Sequence, residues 1–161
     1  MKLLVQRVAR ADVTVDGESI GAVGQGYALF LGVMRGDTEN EVRFLVHKIL
    51  GLRLFAGDDG TVNHRSIVDV HGGILVVSQF TLAGLVEKGN RPDYTAAADR
   101  ETAMRLYEAF LAILRSAAPA LIIATGRFGA HMHVDLVNDG PVTLLLERKP
   151  RMTGDGSFPG A

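Results

Sequence analysis

The sequence predicts an α+β fold in a single domain, with a mostly antiparallel β-sheet, a barrel-like core and two main α-helices. Three observations lead there. The chain has 161 residues and 47% hydrophobic content, which suits one domain of the usual ~150 residues built on one core. Short strand-like runs occupy the beginning and the end. Two longer segments carry apolar residues at helical spacing, and this mixture without strict alternation reads as α+β.

Strands are expected over residues 3–8, 13–15, 20–23 and 27–34, with Asp16-Gly17 as the turn between the second and third, giving an antiparallel meander. Thr38 and Glu41 have capping-box spacing, and Val42, Leu45, Val46 and Ile49 repeat at i, i+3, i+4 and i+7 before Gly51, so a helix with one core-facing stripe follows. After a loop rich in Gly and Asp at 57–60, the segment 73–82 is apolar on both alternating faces until Ser78, as a central strand requires. Gly84, Gly89 and Arg91-Pro92 break the stretch 83–98, which is expected to be a long surface loop. A second helix starts with Asp99 as N-cap and runs to about Ser116, with Ala103, Leu106, Tyr107, Phe110, Ile113 and Leu114 on its apolar stripe. The last strands are expected at 121–124, 132–137 and 142–147, the latter two joined by Asn138-Asp139-Gly140-Pro141. The tail 148–161 has three basic residues, two prolines and three glycines and is expected to be poorly ordered.

Seventeen basic and eighteen acidic residues give a net charge of -1. A protein that coats nucleic acid or a membrane by bulk charge is thereby excluded, so any RNA contact is local. Without cysteine there are no disulfides, thiolate metal sites or cysteine nucleophile. The opening MKLLVQRVARADV has an apolar run too brief for a signal-peptide core or a membrane span. A soluble, cytoplasmic protein is the expectation.

Four groups of residues carry possible chemistry. Ser78-Gln79-Phe80-Thr81-Leu82 ends the buried strand, where hydroxyl and amide groups on a rigid element can line a cleft, although polar residues also simply mark where a strand leaves the core. Strand pleating would place Ser78 and Phe80 on one face and Gln79 and Thr81 on the other. Asn138-Asp139-Gly140-Pro141-Val142-Thr143 reads by spacing as an ordinary turn. Lys88, Asn90 and Arg91 place two cations in the long loop, either merely solvated or meeting phosphates of a flexible strand. Arg7 follows a strand-like run, and its forked donors can brace a turn. A rival constellation is His131, His133 and Asp135, which would share one strand face and offer two imidazoles and a carboxylate to zinc. The partly exposed polar face of an edge strand is favoured there, because zinc sites usually recruit separate segments.

Taken together, Gln6-Arg7-Val8, Ser78-Gln79-Phe80-Thr81-Leu82, Lys88-Gly89-Asn90-Arg91-Pro92 and Asn138-Asp139-Gly140-Pro141-Val142-Thr143 resemble the D-aminoacyl-tRNA deacylase family, also called D-Tyr-tRNA deacylase, in order and spacing over residues 1–147. Asp93-Tyr94 stands where the family more often has Ser-Phe, and the tail 148–161 exceeds its usual length. The resemblance implies hydrolysis of the ester that joins a D-amino acid to the terminal 3′ adenosine of tRNA, without metal or cofactor. It implies a homodimer with cross-subunit sites, in which a cis Gly140-Pro141 motif enters the pocket around Ser78, Gln79, Phe80 and Thr81 of the other subunit. Backbone carbonyls would then reject an L-side chain while admitting D-residues and glycine, and Arg7 would hold the motif. Lys88, Asn90 and Arg91 join Gly140, Pro141 and Arg7 as expected substrate-binding residues.

Phe80 is the candidate oxyanion donor through its N–H. Thr81 as nucleophile and assistance by the ribose 2′-hydroxyl are both compatible with the resemblance, and the second is favoured because no acid–base pair stands near Thr81 in sequence. Two other classes compete: an RNA-binding module without turnover, and a metal-dependent hydrolase at the histidines.

Overall fold

A computed structural model describes residues 1–87 and 89–150. Candidate Lys88 and residues 151–161 of the expected tail lie outside the described residues. The chain opens with a 14-residue strand, β1 (Lys2–Val15), where two separate runs were expected. One strand results because Ala9 and Arg10, polar or small in sequence, are simply exposed positions on a continuous ladder. Asp16 and Gly17, both at positive φ (53° and 84°), turn it into β2 (Glu18–Val23), as a two-residue hairpin loop demands. Next comes β3 (Gly26–Gly32), antiparallel to Lys2–Val8 of β1.

Helix α1 (Glu39–Gly51) begins on the expected capping box: the Glu41 carboxylate accepts from the Thr38 N–H at 2.8 Å, and the Thr38 hydroxyl accepts from the Asn40 N–H at 3.2 Å. Its stripe of Val42, Leu45, Val46 and Ile49 is buried. A small two-stranded sheet, β4 (Arg53–Phe55) and β5 (Arg65–Ser66), follows. Strand β6 (Gly73–Ser78) is buried along its length up to Ser78 and lies parallel to β3 on one side and to β7 (Ile123–Thr125) on the other. Double-sided burial explains why its sequence does not alternate. Helix α2 (Arg100–Ala117) starts where Asp99 accepts from the Thr102 N–H at 2.9 Å.

The final strand, β8 (His133–Glu147), corrects the expectation of two strands joined by a turn. Both halves run antiparallel to the same β1, from Thr14↔His133 to Lys2↔Glu147, and only residues 139–142 lack a partner in β1. A hairpin would reverse direction at Gly140-Pro141. Here the chain bulges and resumes.

The sheet therefore mixes antiparallel pairs around β1 with a parallel β3-β6-β7 unit, and β2 approaches β7 so closely that a side chain at Gly21 would lie 2.8 Å from the Thr125 carbonyl oxygen. This near closure makes the core barrel-like. One sheet face, with Leu3, Val5, Leu29, Ile74 and Val76, packs on both helices. The other, with Val8, Val13, Ala28, Leu75 and Val77, fills the inside of the curve. Phe110 of α2 is fully buried, and truncation to alanine at such a site costs about 3–5 kcal/mol. Among the described residues no helix is long and apolar enough to cross a membrane.

Candidate active site

Parallel β3, β6 and β7 point their carboxyl ends to one side, and a cavity of about 520 Å³ opens there. Leu31 and Val33 enter from the end of β3, Val77 and Ser78 from β6, and Phe128 to Met132 from the connection after β7. Open α/β sheets bind ligands at this same end, because the loops there are free to vary while the strands hold them rigidly. Helix α2 supplies Ala103 and Tyr107 as a wall. The Tyr107 hydroxyl donates to the Val76 carbonyl at 3.0 Å and its ring packs on Phe128 at 5.8 Å, so the wall is locked to the floor.

Of the expected catalytic residues, Ser78, Gln79 and Phe80 line this cavity. Their arrangement differs from the pleated expectation. The strand ends at Ser78, and Phe80–Ala83 forms a single 3-10 turn, so no alternation of faces carries Phe80 and Thr81. The Gln79 N–H still extends the ladder, donating to the Leu31 carbonyl at 2.8 Å, and Leu82 and Gly84 donate back to Gln79 and Thr81. The N–H groups of Phe80 and Thr81 have no acceptor among the described residues, as the first donors of any helical turn do not. Phe80, which lines the cavity, thus carries a free backbone donor on a rigid support. Thr81 does not line the cavity. Its hydroxyl accepts from the Gln79 side-chain amide, and no His, Asp or Glu bonds to it among the described residues. A nucleophilic hydroxyl needs a group that takes its proton, and an amide N–H does not.

The bulge of β8 is a second built feature. Arg7, mostly buried, donates through Nε to the Asp139 carbonyl at 3.0 Å, lies 3.2 Å from the Asp139 carboxylate, and donates through Nη1 to the Leu54 carbonyl. Asn138 closes the loop: its Oδ1 accepts from the Val142 N–H at 2.9 Å and its Nδ2 donates to the Thr143 hydroxyl at 3.0 Å. The Gly140–Pro141 peptide is cis, and Gly140 has φ +134°, a conformation that side chains rarely adopt. Gly140 and Pro141 are exposed and line neither this cavity nor the larger one beside it.

The long loop is pinned at its base by paired hydrogen bonds between Leu85 and Asp93, 2.8 Å each. Asn90 and Arg91 are exposed on it and reach neither cavity. His131 lies at the cavity and its ring meets His133 edge-on at 5.1 Å. Asp135 turns instead to Arg10, at 2.7 Å. No group of three metal-binding side chains is gathered among the described residues.

Sequence reasoning missed the cavity's far wall: Phe128, Gly129, Ala130 and Met132, together with Tyr107 and the Ala97-Ala98 segment. Gly126 and Gly129 were its only local signal. Their meaning depends on β6 and β7 being parallel, which spacing does not reveal.

The family model for D-Tyr-tRNA(Tyr) deacylase matches residues 4–147. A D-aminoacyl-tRNA deacylase of Exiguobacterium sp. (strain AT1b) is 54% identical over 92% of this chain and 99% of its own. Another, from Koribacter versatilis, is 52% identical over 92% and 98%. Among solved structures, the c-Myc DNA Unwinding Element Binding Protein superposes with a TM-score of 0.88 at 46% identity, over 92% of this chain and 99% of that one. A structure described as a probable eukaryotic D-amino acid tRNA deacylase shares the fold, with a TM-score of 0.78 at 18% identity over 90% and 97%.

Proposed function

Since the chain belongs to the D-Tyr-tRNA(Tyr) deacylase family, we propose that it is a hydrolase cleaving the ester of D-aminoacyl-tRNA into free D-amino acid and tRNA, a proofreading step in translation. The observation that carries this reading is the free N–H of Phe80, a residue that lines the cavity and falls within the matched span. Water attacks the ester carbonyl carbon, the oxyanion that forms takes the Phe80 N–H, and the bond to the ribose oxygen breaks. Preorganised backbone donors of this kind are worth about 10²–10³ in rate. Gln79 and Ser78 orient the substrate. Thr81 is a supporting residue, and the neighbouring 2′-hydroxyl of the terminal ribose assists the proton transfers. No metal or cofactor takes part.

Selection by handedness falls to Gly140-Pro141. Because the motif is absent from the lining of the candidate active-site cavity of its own chain while standing exposed and braced by Arg7, it serves the cavity of a second copy. The functional unit is then a homodimer with two cross-subunit sites. Exposed Val137, Leu144 and Leu145 along β8 supply apolar surface for that contact. The partner subunit's Gly140 and the partner subunit's Pro141 present backbone carbonyls that collide with an L-side chain, and glycyl-tRNA, having none, is also cleaved. The catalytic domain is residues 1–147, and the site of action is the cytoplasm. Asn90 and Arg91 meet the RNA outside the cavity, and Lys88 is a further RNA-binding residue.

The deciding experiment supplies purified protein with D-Tyr-tRNA and L-Tyr-tRNA, with and without a chelator. Multiple turnovers on the D-substrate alone, unaffected by chelator, are expected. Binding without turnover defeats the deacylase reading, and equal cleavage of both enantiomers defeats the filter.

A further inference from the structure

A second cavity, of about 760 Å³, adjoins the first and shares Phe80, Ala97 and Ala98 with it. Its charged lining is Arg35, Asp37, Glu39, Asp99 and Arg105. All three carboxylates are engaged. Asp37 holds the N-terminal amine and the Met34 N–H at 2.6 Å each, Glu39 pairs with Arg43 at 3.1 Å, and Asp99 caps α2. Arg35 and Arg105, both exposed, have no carboxylate within 4.0 Å among the described residues. The cations here are therefore available to a ligand, whereas the anions are spent on the fold.

At the junction of the two cavities stands an aromatic pair. Phe80, 57% exposed, and Tyr94, 36% exposed, meet edge-on at 5.0 Å. Exposed rings beside unpaired arginines form the combination that binds single-stranded nucleic acid, with base faces on the rings and phosphates on the cations. Continuity of the substrate points the same way. If the first cavity takes the terminal aminoacyl-adenosine, the shared wall of Phe80, Ala97 and Ala98 offers the strand leading to it a direct route into the second.

We propose that the second cavity receives the unpaired nucleotides immediately preceding the terminal adenosine, one base stacking on the Phe80–Tyr94 pair and the phosphates meeting Arg35 and Arg105. This rests on the deacylase reading and adds an RNA subsite to it. It also gives Tyr94, which departs from the family's more usual Phe, a role that either aromatic ring fills.

The test compares two substrates, D-Tyr-tRNA and the D-tyrosyl 3′ ester of adenosine, across Arg35→Ala/Arg105→Ala, Tyr94→Ala and Tyr94→Phe. A parallel arm measures binding of a single-stranded RNA oligonucleotide ending in CCA. The double arginine variant is expected to lose kcat/KM on the tRNA alone, and the slope of log affinity for the oligonucleotide against log salt should shrink by about 1.4, from ~0.7 per phosphate contact. Tyr94→Ala should lower kcat/KM on tRNA roughly 5- to 150-fold, with Tyr94→Phe near wild type and the adenosine ester unaffected throughout. Equal losses on both substrates overturn the subsite, as does an unchanged oligonucleotide salt slope in the double arginine variant. If wild-type protein cleaves neither substrate, the deacylase reading fails, and the oligonucleotide arm still decides whether the groove binds RNA.

Discussion

The Arg7 guanidinium donates to the Asp139 carbonyl at 3.0 Å, tying β1 to the segment 139–142 where β8 has no ladder partner in it. Together with its bond to Leu54, this contact fixes the orientation of Gly140-Pro141 from a position that touches neither cavity.

Arg7→Lys and Arg7→Ala should therefore loosen the filter more than the chemistry. Charged hydrogen bonds are worth about 1.5–3 kcal/mol each, so Arg7→Ala is expected to lower unfolding stability by a comparable amount. The ratio of D- to L-Tyr-tRNA cleavage should fall, and Arg7→Lys should rescue it only in part because an ammonium lacks the fork. An unchanged ratio in both variants removes Arg7 from the filter.

Gly140→Ala should be worse than an ordinary surface change. At φ +134° the added carbon lies 2.8 Å from the Val142 Cγ2 and 3.0 Å from the Arg7 Nη2. Incompatible backbone and crowding together cost more than about 1 kcal/mol, readable by urea denaturation, with loss of D-substrate turnover. Wild-type stability and enantioselectivity would show that the bulge is not the selecting element.

Thr81→Ala separates the two catalytic routes. With its hydroxyl accepting from Gln79 rather than facing a base, a loss of no more than about tenfold in kcat is expected. A true nucleophile costs several orders of magnitude. Substrate acylated at the 3′ position of a 2′-deoxy terminal adenosine should instead react slowly; full activity on it rules out assistance by that hydroxyl.

Alkaline stability follows from two buried phenols. Burial pushes Tyr107 up to about 12 and raises Tyr27 still further. Below about pH 10 both are protonated folded and unfolded, and stability is fully present. Above it the unfolded chain releases protons that the native state keeps, so stability falls as pH rises toward the folded values. Urea midpoints from pH 8 to 11 should show the decline beginning near pH 10. Tyr107→Phe should cost about 0.5–1.5 kcal/mol at pH 8 through its lost bond to Val76 and flatten the decline; an equally steep one sinks the assignment.

Much of this was legible residue by residue. The capping box of Thr38 and Glu41, the Asp99 cap, the stripes of both helices and the buried run before Ser78 are local patterns, and short-range sterics and hydrogen bonds enforce them wherever the segment goes. Motif order also pointed to the family. What failed failed for long-range reasons. Gly140-Pro141 read as a turn because its four residues are turn formers, yet β1 pairs with both flanks, and no local property of the segment reports that. Phe80 and Thr81 read as strand because they follow directly on the apolar run that ends at Ser78, while the pairing with β3 ends at Leu31↔Ser78.

The sequence alone determined which segments bury which faces and which residue types stand ready for chemistry, since propensity and periodicity act within a few residues. Tertiary structure decided the rest: that β3, β6 and β7 run parallel and open a cavity at one end, that Phe128 to Met132 close it, and that Arg7 grips the bulge of β8. Those outcomes depend on pairings between residues far apart in the chain, such as Tyr27 with Ile74, Ile74 with Ile123, and Arg7 with Asp139. Their energy comes from burying faces together, and a face carries no label for its partner.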